Sequence, residues 1–170
     1  MKIKELARFA LLLALALILG WVESLLPIAP GLPGIKLGLA NTVLLYAVCL
    51  CGARQSFLLM LGKAVLSGFL FAGLSGLLYS LAGGVLSLVA MLMAKRIPGI
   101  GVPGVSVCGA LLHNVGQTLV ACVLVQPRAA LTYLPILLFS AIITGVSIGV
   151  AAQSVFRALH AEPISFTKHK

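Results

Sequence analysis

The sequence predicts an all-α membrane protein, a bundle of six transmembrane helices with both termini in the cytoplasm. Three observations carry this prediction. Only 9% of the 170 residues are charged and 61% are hydrophobic, whereas a soluble domain carries about 25% charged residues. So few charges cannot build a water-facing surface, and the apolar excess must face lipid. The apolar residues also fall into runs long enough to cross ~30 Å of hydrocarbon, separated by Pro and Gly. Finally, the basic residues gather on one side of the resulting layout.

The runs define a single integral membrane domain over 1–170, with spans at roughly 7–26, 37–53, 55–71, 76–94, 104–125 and 131–155 and a cytoplasmic tail at 157–170. Lys2, Lys4 and Arg8 precede the first apolar run. That run continues to Leu26 with no clear A-x-A site, so it reads as a retained span rather than a signal peptide. Pro27, Pro30, Gly31, Pro33 and Gly34 end it. Gly52 and Arg54 part the second span from the third, and Gly73, Ser75 and Gly76 part the third from the fourth. Pro98-Gly99, Pro103-Gly104 and Pro127 punctuate the remainder.

With the amino terminus inside, nine basic residues fall on inner segments: Lys2, Lys4, Arg8, Arg54, Lys95, Arg96, Arg157, Lys168 and Lys170. Two, Lys36 and Arg128, fall outside, and Lys63 lies within the third span. Cytoplasmic segments of membrane proteins are enriched in Lys and Arg, so this asymmetry orients the chain in the cytoplasmic membrane. The net charge of +9 is a topology signal. The basic residues form no stripe and have no aromatic interleaving, so nucleic acid is not a predicted partner. Cys49, Cys51, Cys108 and Cys122 lie in or beside apolar segments and read as small packing residues.

Catalytic machinery is missing. The chain contains no Asp, and its acids are Glu5, Glu23 and Glu162. No Ser-His-Asp set, metal cluster, P-loop or dinucleotide fingerprint can be assembled. The sequence asks for no cofactor or metal, and any ATP-driven step needs another subunit.

The residues that stand out are polar groups in apolar spans, where an unsatisfied donor or acceptor is costly. Glu23 lies near the outer end of the first span, and Lys36 and Asn41 lie at the start of the second. Lys63 is near the middle of the third, and Tyr79 and Ser80 are near the outer end of the fourth. His113, Asn114 and Gln117 share one side of the fifth, with Thr118 beside them. Lys63 is nine residues past Arg54, or about 13 Å of helix rise. That is long for snorkelling, and a bundle-facing Lys63 invites a carboxylate such as Glu23, or a substrate, as its partner. For the His113 group two readings stand: an interhelical hydrogen-bond network, or the wall of a site. Ala10 and Ala14, four apart with Ala7 nearby, give the first helix a face that another helix can approach closely. The apolar, Pro- and Gly-rich connection Pro27 to Lys36 suits either a rigid cap or a simple connector.

Three stretches carry a family resemblance: Pro30-Gly-Leu-Pro-Gly-Ile-Lys36-Leu-Gly-Leu-Ala-Asn41, Ser75-Gly-Leu-Leu-Tyr79-Ser-Leu-Ala-Gly-Gly84, and His113-Asn114-x-x-Gln117. Over residues 5–157 the chain resembles the Gx transporter family, also labelled heptaprenyl diphosphate synthase component I. That family is similar to the substrate-binding S components of energy-coupling factor transporters. The resemblance implies an S-component-like bundle that binds a small, partly apolar, vitamin- or quinone-precursor-like solute from outside. The implied partners are a membrane coupling subunit and ATPases. It implies docking through Ala10 and Ala14, gating by the loop from Pro27 to Lys36, and solute contacts from Lys36, Asn41, Tyr79, His113, Asn114 and Gln117. The synthase label implies an alternative: an accessory membrane component beside a polyprenyl diphosphate synthase in isoprenoid or quinone metabolism. Catalysis by this chain is rejected, because prenyl synthases hold diphosphate through magnesium on Asp-rich motifs.

Overall fold

The computed structural model describes residues 3–25, 38–124 and 127–159. Regular structure among these residues is helical: α1 (Ile3–Leu25), α2 (Leu39–Leu50), α3 (Ala53–Ser67), a π-helical segment (Gly68–Ala72), α4 (Gly73–Ala94), α5 (Val102–Leu124) and α6 (Pro127–Leu159). Four helical runs are long and apolar enough to cross a membrane: Ile3–Leu25, Ala53–Ala94, Val102–Leu124 and Ala130–Ala158. These make the chain a multi-pass membrane protein. Its outward-facing side chains suit lipid, with Leu11, Phe69, Val123 and Phe139 all more than two-thirds exposed.

The run Ala53–Ala94 is folded back on itself. A Cβ added to Gly68 would lie 2.8 Å from the Leu77 Cβ, and one on Gly84 would lie 2.9 Å from the Met60 Cγ. Those pairings set α3 antiparallel to α4, with the turn at Gly73 (φ 69°).

The second helix is much shorter than the span expected over 37–53. It has 12 residues, a rise of about 18 Å, too short to cross the hydrocarbon unaided. Glycine torsions set both limits. Gly38 precedes it at φ 75° and Gly52 follows it at φ 87°, conformations that cost a side-chain-bearing residue energy. Seven of its residues are buried, because it packs against every other helix in the bundle. A helix surrounded on all sides is expected to be apolar all round, and LANTVLLYAVCL has one strongly polar residue, Asn41.

α5 lies between α4 and α6 and packs closely along both. Small residues make this possible, as in other membrane bundles. A Cβ on Gly116 would come 2.6 Å from the Ala82 carbonyl oxygen, and one on Gly149 would come 2.4 Å from the Pro103 Cα. α1 packs on α2 and α3, and only Ala16 and Glu23 of its residues are buried. Hydroxyls inside the helices bond their own backbone: Ser56 to Gly52 O at 2.8 Å, Thr118 to Asn114 O at 2.9 Å and Ser147 to Ile143 O at 2.9 Å. This satisfies polar atoms where no water reaches.

One end of the bundle collects the basic residues and the larger core. Leu45, Val48, Met91, Val105 and Phe156 pack there, with Tyr46 edge-on to Phe156 at 5.7 Å. Arg8 donates to Gln55 at 3.2 Å. Lys95 donates to the Val48 and Cys49 carbonyls at 2.8 and 3.1 Å. These are terminal acceptors of α2, where the helix dipole also favours a cation. Lys95→Met is expected to cost about 1–3 kcal/mol, as charge-assisted bonds do, and to lower the unfolding midpoint in detergent, while Arg96→Met, at an exposed neighbouring position, leaves it nearly unchanged. The four cysteines are free thiols.

Candidate functional site

At the opposite end α2 begins low, and the space above its first turn is a cavity of about 760 Å³. Every helix supplies part of its wall. The volume falls in the usual range for a pocket that takes a small organic molecule. Along α5 the cavity is lined by Gln117, Thr118, Ala110 and Ser106, and Met91 of α4 lines it as well.

Its polar groups come from distant parts of the chain. Glu23 of α1 is only 9% exposed, and its carboxylate accepts the Gly38 N–H at the amino end of α2. That helix end carries partial positive charge, which complements an acidic side chain. Lys63 of α3 reaches across to donate to Asn41 Oδ1 at 3.2 Å. These bonds place Glu23 and Lys63 around the first turn of α2.

Asn114 donates through Nδ2 to the Leu137 carbonyl at 2.8 Å. This ties α5 to α6 two residues beyond Pro135, inside the final helix. Asn114 therefore joins the two readings left open by the sequence, since it both bonds across helices and lines the cavity. His113 packs closely against α4, where a Cβ on Gly83 would come 2.9 Å from its ring. Tyr79 and Gln117 line the cavity and hydrogen-bond to no other described residue.

The cavity thus brings together Glu23, Asn41, Lys63, Tyr79, Ser80, His113, Asn114 and Gln117 from the residues singled out in the sequence. Lys36 and the rest of the loop from Pro27 lie outside the described residues. Ala10 and Ala14 are elsewhere: they are exposed on the side of α1 turned away from the cavity, in line with Leu11, Leu15 and Ile18. Ser67, Phe71, Tyr133 and Thr144 also line the cavity without having been expected there. Ser67 and Phe71 follow Lys63 at intervals of four, so a helical stripe through Lys63 contained the signal.

Residues 12–155 match the protein family described as heptaprenyl diphosphate synthase component I. The chain belongs to that family. The match covers α1 from Leu12 through most of α6 and so includes every described helix that walls the cavity. Comparison with curated proteins and with solved structures gives no match. The family description names a component of a synthase, while the cavity has the form of a binding site: a deep apolar well with a few convergent polar groups.

Proposed function

We propose that this chain is the membrane-embedded solute-binding subunit of an energy-coupling-factor-type transporter, importing a small, partly apolar organic molecule. The observation that carries the reading is the cavity of about 760 Å³ at the end of the bundle opposite the basic residues. With α3 and α4 counted as separate spans and α2 as a short one, the chain crosses the cytoplasmic membrane six times as a single domain. The clustered Lys and Arg then mark the cytoplasmic face, both termini lie inside, and the cavity opens outward. Vitamin- or quinone-precursor-like solutes fit its mixture of apolar wall and polar groups. Asn41, Tyr79, His113, Asn114 and Gln117 contact the solute, joined by Lys36 from the preceding loop. Ala10 and Ala14 dock a membrane coupling subunit, and separate ATPases supply the energy. The chain itself is not an enzyme; a sequence without Asp offers no diphosphate–magnesium site of the prenyl synthase kind.

The family description supports a second reading, a non-catalytic membrane component associated with a polyprenyl diphosphate synthase. Partner identity separates the two. Affinity purification of the tagged protein from its own membranes in mild detergent, with mass spectrometry of the co-purified proteins, is expected to recover a coupling subunit and ATPases. Recovery of a prenyl synthase alone sinks the transporter reading.

A further inference from the structure

We propose that one level of the cavity is an aromatic collar, formed by Phe71, Tyr79 and Tyr133, and that it holds a planar aromatic ring system of the solute. This rests on the solute-binding reading above and adds the ligand class to it.

The three rings come from separate segments: Phe71 from the π segment, Tyr79 from α4 and Tyr133 from α6. The helix pairings bring them to one level. α4 runs antiparallel to α5, with Ala82 against Gly116, so Tyr79 stands level with Leu119. α6 runs antiparallel to α5, with the Leu137 carbonyl bonded to Asn114, so Tyr133 stands level with Thr118. Phe71 follows Gly68, whose neighbour on α4 is Leu77. Helical side chains lean back toward the start of their helix, and that lean carries the Phe71 ring toward the level of Tyr79. A Cβ on Gly20 of α1 would lie 4.0 Å from its Cζ. α5 reaches the same level with Gln117, Thr118 and Ala121.

These rings are a concentration, not a general property of the wall. Elsewhere the cavity is lined largely by small side chains such as Ala16, Ala40, Ala110, Ala141 and Gly145. The remaining tyrosine, Tyr46, packs in the core against Phe156. Aromatic rings attract one another through their faces and edges beyond the area they bury. A flat ring inside the collar meets such partners from three segments, whereas a saturated ring of the same skeleton is thicker and packs there as hydrocarbon alone. The Tyr79 hydroxyl and Gln117 bond to no other described residue, which suits a polar substituent on the edge of the bound ring.

The test uses neutral matched probes: 2-naphthol beside decahydro-2-naphthol, and 4-phenylphenol beside 4-cyclohexylcyclohexanol. Each is titrated calorimetrically into the protein in lipid nanodiscs, with the heat of partition into empty nanodiscs subtracted. At least one aromatic probe is expected to bind about tenfold or more tightly than its saturated partner. The double variant Phe71→Leu, Tyr79→Leu keeps the wall apolar and brings that ratio close to one. Tyr79→Phe keeps the ring and retains the ratio, which separates the collar from the hydroxyl. The comparison on the unaltered protein stands even if the double variant does not fold. Equal binding of aromatic and saturated probes, a ratio unchanged in the folded double variant, or no binding by either aromatic probe overturns the assignment. None of these outcomes touches the transporter reading, which is decided by the recovered subunits.

Discussion

Replacing Gly149 with leucine is expected to unseat α6 from α5 and to deprive the protein of a stable fold. The nearest atom to an added Cβ is the Pro103 Cα at 2.4 Å, with the Ser106 Cβ at 3.0 Å. The first is backbone, held by proline in the first turn of α5, and cannot swing aside as a flexible side chain would. Overpacking a core costs typically 1–3 kcal/mol even where neighbours yield. Here the helices must separate along their length, so the cost should reach or exceed about 3 kcal/mol. Ala151→Leu, two residues away at an exposed position on the same helix, adds similar volume toward lipid and is the control. Size-exclusion profiles in detergent after graded heating should show Gly149→Leu aggregated at temperatures where Ala151→Leu and the parent remain monodisperse. Equal profiles would contradict the close approach of α5 and α6.

The second large effect concerns the outer face of α1. The double substitution Ala10→Leu, Ala14→Leu is expected to abolish recovery of the coupling subunit while leaving solute binding intact. Both alanines are exposed and neither lines the cavity, so the change adds bulk where a partner helix would approach and nowhere else. Small residues at this spacing allow helix backbones to come close, and two leucines hold them apart. Co-purification from membranes measures the first part, and mass spectrometry of small molecules retained by the purified variant and parent measures the second. An unchanged yield of complex would remove Ala10 and Ala14 from the interface.

The helical, membrane-spanning character of the chain was legible in the sequence because it derives from composition, and composition survives any arrangement. Most helix limits were legible for a local reason: Gly, Pro and charge sit at the ends of the apolar runs. The length of α2 was not. Its limits depend on the backbone torsions of Gly38 and Gly52, and a glycine beside an apolar run does not announce a left-handed turn. The π segment Gly68–Ala72 left no signal, since GFLFA is equally compatible with an ordinary turn of α-helix. At the cavity, polar residues such as Asn41, Tyr79 and Gln117 stood out because polarity is rare in these spans. Ser67 and Thr144 did not, because a hydroxyl can bond its own helix anywhere. The pairings were the least visible part. The Glu23–Gly38 and Lys63–Asn41 bonds join segments that only the tertiary fold brings together.

The sparse burial of α1 has a consequence for how the cavity changes size. α4, α5 and α6 meet through glycines at near backbone contact, so separating them means breaking a continuous packed seam. α1 walls the same cavity through Ala16, Gly20 and Glu23, yet only two of its residues are buried. The work of widening the well is therefore least on the α1 side, where a displacement releases the Glu23 carboxylate from the Gly38 N–H and parts one small apolar cluster, Ala16 against Val43, Ala47 and Leu59. The molecule is built as a stiff three-helix shell with one compliant wall, and that wall is the helix whose other face is turned outward.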